Sequence, residues 1–234
     1  MNKKNFRGLL ILCITFLFSG NSPTQETIEA AFSKGAEYAK AGKYDEAIVE
    51  YGKVIQLDPD LAEAYYNRGN AYRIKRDYDR AISDYTKAIE LRPDFAQAYN
   101  NRGLTYNKQE SDDRAIPDYD KAIELDRSFA QAYFNRGFTY HKKGYIERAL
   151  PDYNNAIEID PDYAYAYEKR GNICNTKGDY DQAIADCNRA IELNPNDPEA
   201  YTVRGTAYGN KGDYDQAIID SKKAAELNSK SQPQ

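Results

Sequence analysis

From Ile28 onward, apolar and small residues recur at alternating spacings of four and three, as expected for a helix with one buried face. In the stretch that begins at Ala62 they fall at Tyr65, Gly69 and Tyr72, and then again at Ala81, Tyr85 and Ala88. Polar breaks separate such sets, as in Gly178-Asp179-Tyr180-Asp181, where glycine suits a helix end and aspartate a helix start. The second set of each stretch runs into segments such as Asp58-Pro59-Asp60, Arg92-Pro93-Asp94, Asp160-Pro161-Asp162 and Asn194-Pro195-Asn196. Proline there stops a helix, and the acid or amide after it is expected to support the next one. The pattern predicts pairs of amphipathic helices, A and B, joined by tight turns.

The unit repeats. Residues 62–95, 96–129, 130–163, 164–197 and 198–231 align with a period of 34 and no gap, and 28–61 fits ahead of them as a weaker copy. With the first residue of each copy as position 1, position 8 is Gly35, Gly69, Gly103, Gly137, Gly171 and Gly205. Position 20 is alanine in all six copies, from Ala47 to Ala217. Small residues at 8 and 20 let two helices approach closely, and tyrosine at 4, 11, 17 and 24 fills the space around them. Those four positions hold 18 of the 22 tyrosines, so the tyrosine excess is core packing and not a stacking surface. A lone helical pair cannot bury its stripe, whereas stacked pairs can. Copy six has Ser221 and Ala225 where others have Tyr and Ile, as a terminal copy requires. Copy three departs most, with Glu110, Asp112 and Arg127 at positions that usually hold Gly, Tyr and Pro, and is expected to be the least stable.

These residues resemble the tetratricopeptide repeat family, whose 34-residue pattern runs aromatic, Gly, Tyr, Ala, aromatic, Pro. Positions 4, 8, 11, 20, 24 and 32 match it over Ile28 to Ser231, with Tyr in place of Trp. The Asn-Arg-Gly sub-pattern at Asn67-Arg68-Gly69, Asn101-Arg102-Gly103 and Asn135-Arg136-Gly137 is similar to that of bacterial members. The resemblance implies an all-α, right-handed α-solenoid of six helix-turn-helix repeats that binds proteins or peptides. In this architecture helix A lines a concave groove through positions 2, 5, 6, 9, 12 and 13. Here those positions include Tyr66, Asn67, Asn70, Arg73, Asn100, Asn101, Phe134, Asn135, Phe138, His141, Tyr165 and Asn172. Asn67, Asn101 and Asn135, at position 6 of three consecutive copies, resemble the asparagine ladder of the O-GlcNAc transferase repeat domain, whose amides hold a peptide backbone. An asparagine amide offers both a donor and an acceptor, so it can pair with any peptide group. The carboxylate clamp of chaperone cochaperones is a poor match, because Tyr66, Gln131 and Asn135 stand where its cations would be. The remaining reading is a scaffold that uses its convex face or ends.

Charge adds one structural expectation. Position 7 is Lys34, Arg68, Arg102, Arg136, Arg170 and Arg204, and position 23 is Glu50, Asp84, Asp118, Asp152, Asp186 and Asp220. Both lie on the buried stripes, and their register sets them opposite each other, so each repeat is expected to hold an ion pair. Pro117 and Pro151, at position 22, lie off the stripe of helix B and are expected to face solvent inside a continuous helix. Cys174 and Cys187 fall at positions 11 and 24, with an axial offset of roughly 7 Å at 1.5 Å per residue. That is too far for a disulfide, and two buried free thiols are expected.

The amino terminus differs from the rest. Lys3, Lys4 and Arg7 precede an apolar run from Leu9 to Phe18, and Ser19-Gly20-Asn21-Ser22 follow. This is the order of a secretory signal peptide, and the run is too short for a spanning helix. The expected organisation is a signal peptide over 1–22, a linker over 23–27, the solenoid over 28–231 and a disordered tail over 232–234. Export to the periplasm or the medium follows from it. The alternative is an uncleaved anchor, the one case that involves a membrane. Cys13 lies inside the apolar run after Leu12, which does not fit a lipidation site. The chain carries a net charge of −5, and without its first 25 residues 29 bases face 37 acids. An acidic body is a poor match for a phosphate backbone, so nucleic acid is not expected as a partner. One histidine, no calcium-loop series and no phosphate loop leave no metal, cofactor or catalytic site to expect.

Overall fold

The structure, a computed structural model, describes residues 23–230. The expectations for residues 1–22 and for the tail lie outside the described residues. Twelve helices and no strand are present among the described residues. They pair as α1 (Pro23–Lys40) with α2 (Tyr44–Leu57), α3 (Ala62–Ile74) with α4 (Tyr78–Leu91), and α5 (Ala96–Lys108) with α6 (Asp112–Leu125). Next come α7 (Ala130–Lys142) with α8 (Ile146–Ile159), α9 (Ala164–Thr176) with α10 (Tyr180–Leu193), and α11 (Pro198–Lys211) with α12 (Tyr214–Lys230). Each helix packs on its hairpin partner, and each helix B but the last also packs on the first helix of the next hairpin. The A helices also touch at α1–α3, α3–α5, α5–α7 and α9–α11, with no such packing between successive B helices, so the array curves with helix A on its inner side. The chain is an all-α solenoid. One boundary is corrected: residues 23–27, expected as a linker, form the first turns of α1.

The close approach of each hairpin follows from the glycine at position 8. A Cβ at Gly103 would lie 2.9 Å from the Tyr119 ring and 3.1 Å from the Ala115 carbonyl. The tyrosines of position 24 therefore lie flat in the hairpin, and Tyr85, Tyr119 and Tyr153 are fully buried. Pro117 and Pro151 lie inside α6 and α8 without breaking them, and both are exposed. At the sixth helical residue each removes a single backbone hydrogen bond. Cys174 and Cys187 are buried free thiols, and burial pushes Cys187 up to about 12.

Helix ends are built differently from the expectation in one respect. Asp77, Asp179 and Asp213 cap B helices by accepting from Arg80, Gln182 and Gln216 amides. The acid after the interrepeat proline does not cap the next helix. Instead the residue before it, Asp58, Asp160 or Asn194, accepts from the amide two residues on.

An arginine ladder joins the repeats. Arg68 binds Asp84 through Nε (2.8 Å) and Nη2 (2.8 Å), and Arg102 binds Asp118 in the same way (2.9 and 2.7 Å). Arg136–Asp152 (2.9 and 2.7 Å), Arg170–Asp186 (2.8 and 2.6 Å) and Arg204–Asp220 (2.8 and 2.7 Å) complete the set. Lys34 reaches Glu50 at 3.6 Å in the first copy. The remaining nitrogen, Nη1, crosses to position 25 of the preceding repeat. Arg102 meets Thr86 (3.0 Å), Arg136 Asp120 (2.7 Å), Arg170 Asn154 (2.9 Å) and Arg204 Asn188 (2.7 Å). Each guanidinium also lies over the tyrosine of position 4, at 5.4 Å (Arg204 over Tyr201) to 5.7 Å (Arg68 over Tyr65). A second, exposed ladder runs along the turns: Lys75–Asp45, Gln109–Asp79, Lys143–Asp113, Lys177–Glu147 and Lys211–Asp181. Exposed rungs of this kind contribute under about 1 kcal/mol each.

The residue at position 15 ends helix A with positive φ. Four copies place glycine there, Gly42, Gly144, Gly178 and Gly212, but Arg76 (63°) and Glu110 (59°) adopt the same conformation. A side chain in that region is strained against its own carbonyl. Glu110→Gly is expected to raise stability by about 0.5–1 kcal/mol, and Gly144→Ala to lower it by a similar amount. Urea unfolding of both variants checks this.

Candidate functional site

The inner face is built by helix A of each repeat, and its residues divide into a buried layer and an exposed one. In repeats one to five position 5 lies in the inner layer, half-buried or buried. Tyr66 packs on Tyr85 and Phe95, and Phe134 on Tyr153 and Tyr163, with ring centroids 4.7–6.0 Å apart. Position 5 therefore wedges against position 24 of its own repeat and position 34 at the repeat's end. Expected only as groove-lining residues, these rings serve as junction packing.

The asparagines form a net within the protein. Asn101 Nδ2 donates to Tyr66 Oη (3.0 Å) and to Asn70 Oδ1 (2.9 Å), which also accepts from Tyr85 Oη (2.7 Å). Asn100 Nδ2 donates to Asn101 Oδ1 (3.1 Å), and Asn135 Nδ2 donates to Asn100 Oδ1 (2.9 Å). Asn100 is fully buried, and Asn135 is only 8% exposed. Asn107, which the sequence reading passed over, donates to Tyr119 Oη (2.9 Å) and Thr139 Oγ1 (2.7 Å). Asn101 and Asn135 thus bind neighbouring repeats instead of presenting free donors in a row. Asn67 is half-buried and stands outside this net. The signal was available in principle, because buried amides must find partners and tyrosine hydroxyls stood at positions 5 and 24 to supply them.

The exposed layer lies over repeats four and five. Phe138 is 41% exposed and stacks on Phe134 at 6.3 Å, and Tyr165 is 52% exposed. His141 is half-buried, with Nδ1 3.5 Å from Tyr153 Oη, and burial together with Lys169 holds it below its ordinary pKa. Asn172 is half-buried, and its carbonyl accepts from the Thr176 hydroxyl (3.0 Å). Arg73 is half-buried, and its Nε has no hydrogen-bond partner among the described residues.

Two charged residues of this face escaped the sequence reading. Glu168 and Lys169 occupy positions 5 and 6 of the fifth repeat, where an aromatic and an asparagine would stand. Glu168 is 2% exposed and pairs with Lys169 at 2.9 Å, while the Lys169 ammonium sits 6.0 Å from the Phe138 ring. Among the described residues no cluster of His, Cys, Asp and Glu is arranged to hold a metal, and no helix is long and apolar enough to cross a membrane.

Comparison with known proteins agrees with this architecture. Models of the tetratricopeptide repeat match residues 62–95 and 130–163, 84–116 and 152–185, and 198–231, and a TPR repeat model matches 35–73, 105–144 and 171–212. The chain belongs to the tetratricopeptide repeat family. Among solved structures, MamA protein is 31% identical, with a TM-score of 0.62 over 72% of this chain and 92% of that one. YrrB, described as a TPR protein with an unusual peptide-binding site, is 24% identical (TM-score 0.63, 77% of this chain and 93% of that one). Pseudomonas aeruginosa PilF is 15% identical (TM-score 0.78, 90% of this chain and all of that one), a likeness of fold alone. No curated protein matches the chain. Repeats of this family are protein–protein interaction modules.

Burial is the largest influence on Glu168 and raises its carboxyl above the usual 4.5, against the opposing pull of Lys169. The folded state therefore holds that proton more tightly than the unfolded chain does, and stability falls as pH rises through the folded pKa. Glu168→Gln is expected to be more stable than the parent at pH 7 and to lose that advantage as pH drops to about 4. Urea midpoints at the two pH values check the sign.

Proposed function

We infer that the inner face binds an extended segment of a partner protein, with its strongest contacts over repeats four and five. The observation that carries this is the exposed pair Phe138 and Tyr165, two large rings left in solvent on the face of a family that binds proteins. Binding surfaces draw most of their energy from a few such anchors set among polar groups. Around them His141, Lys169 and Asn172 supply the polar rim, and Asn67 and Arg73 extend the face over repeat two. Asn70, Asn100, Asn101 and Asn135, with Tyr66 and Phe134 beneath, hold the A helices at a fixed spacing. The partner would add its groups to a surface already organised, and ordering the segment limits the affinity.

Nothing in this reading calls for catalysis. The basic, apolar and small-residue order of residues 1–22 supports export, and the Asn-Arg-Gly repeats support a bacterial source. A scaffold working through the convex face is the second reading, favoured by exposed Val49 and Ile219 at position 22.

Both rings are exposed, so Phe138→Ala and Tyr165→Ala leave the fold intact. Each is expected to weaken capture of the co-purifying partner by at least tenfold, about 1.4 kcal/mol. Val49→Asp is expected to leave it unchanged. Loss in the Val49→Asp protein with retention in the other two would transfer the function to the convex face.

A further inference from the structure

The final B helix presents a junction surface that no described residue covers. At the junction of α8 and α9, Ile173 of position 10 sits against Ile146, Ala149, Leu150 and Tyr153. At the junction of α10 and α11, Ala207 of position 10 sits against Tyr180, Ala183 and Ile184. The receiving positions are thus 17, 20 and 21, with 24 deeper in the hairpin. On α12 the same positions are Tyr214, Ala217, Ile218 and Ser221, and with Lys222 and Ala225 they line an open hollow. Tyr214 is 69% and Ile218 52% exposed, whereas their counterparts in earlier repeats are half-buried. Ser221 and Ala225 reduce the patch, as the sequence implied, but do not remove it.

Charge decides what can sit there. Position 25 is the acceptor for the next repeat's arginine at four junctions, through Thr86, Asp120, Asn154 and Asn188. On α12 position 25 is Lys222, a donor. A helix carrying arginine at its seventh position would meet a like charge, whereas a carboxylate would meet its complement. The leading end of another copy is also a poor occupant. Its α1 carries Lys34 at position 7, facing Lys222, and Glu37 at position 10, where the other repeats bury Ala71, Thr105, Thr139, Ile173 and Ala207. Stacking would press Glu37 onto Tyr214 and Ile218 and leave a carboxylate desolvated without a partner.

We propose that the end face of α12 receives an amphipathic helix of a different protein, one with a small or aliphatic residue over Ile218 and an aspartate or glutamate facing Lys222. The partner helix takes the place of helix A in a seventh repeat with the ladder's charges reversed. This surface is separate from the inner face, and its occupancy does not depend on the groove.

The probe is a labelled helical peptide copying residues 164–177 with Cys174→Ala, made with and without Arg170→Glu. Anisotropy titrations use the full chain. The Arg170→Glu peptide is expected to bind at least about tenfold more tightly than the unchanged copy. Lys222→Glu in the protein is expected to reverse that order, and Ile218→Asp to abolish binding of both. Equal affinity of the two peptides, binding that survives Ile218→Asp, or no binding at millimolar peptide would each overturn the proposal. So would self-association in sedimentation that Ile218→Asp removes, which would give the face to a second copy.

Discussion

The arginine at position 7 meets three demands at once. Nε and Nη2 clamp the aspartate on its own helix B, Nη1 reaches helix B of the preceding repeat, and the flat cation rests over the tyrosine one turn earlier. A buried carboxylate such as Asp152 is costly unless its charge is paired and its oxygens are hydrogen-bonded, and the bidentate fork supplies both. Burial is the largest influence on Asp152 and, with the nearby Asp120 charge, raises its carboxyl above its ordinary value even with Arg136 pulling the other way. That balance makes the pair a fixture of geometry more than a source of net energy. The guanidinium can reach all its partners only if the two helices and the neighbouring repeat stand at one spacing. The glycine and alanine of positions 8 and 20 set that spacing, so the ladder and the close helix contact specify each other.

The repeat, its helices and the intrarepeat ion pairs were legible because they follow from one period. Residues that share a stripe and a register must meet, and Arg102 and Asp118 share both. Contacts between repeats were less legible. Position 25 holds Gly52, Thr86, Asp120, Asn154, Asn188 and Lys222, a set that looks random until the arginine's third nitrogen is seen to need an oxygen. At the first junction Gly52 provides none, so Arg68 keeps its aspartate and the rings of Tyr65 and Tyr72. Arg76 shows the same limit in the backbone, since its positive φ is imposed by the turn against the preference of its side chain.

The inner face depends on burial, which a repeat period does not carry. Recurrence every 34 residues places Asn67, Asn101 and Asn135 on one face, but recurrence does not reveal burial. Asn100 sits beside Asn101 in the third repeat, where repeats one, two and four have an aromatic, and that substitution draws both neighbouring amides into the net. The aromatic positions show the same effect: Phe134 is held by the rings of Tyr153 and Tyr163, while Phe138, one turn on, has only Phe134 beneath it. The two ends of the solenoid differ for a related reason. Lys34 and Glu37 keep the leading helix soluble, whereas Tyr214 and Ile218 on the last helix continue the junction pattern into solvent.

The central claim is that the buried pair at positions 7 and 23 holds each hairpin and its junction together. Asp118 is the direct probe, since Arg102 contacts it twice and also reaches Thr86 of the preceding repeat. Urea unfolding of Asp118→Ala measures the cost of leaving that arginine without its carboxylate. A loss of about 3–5 kcal/mol is expected for one partner of a buried pair. A loss below about 1 kcal/mol, the value of an exposed pair, would contradict the account.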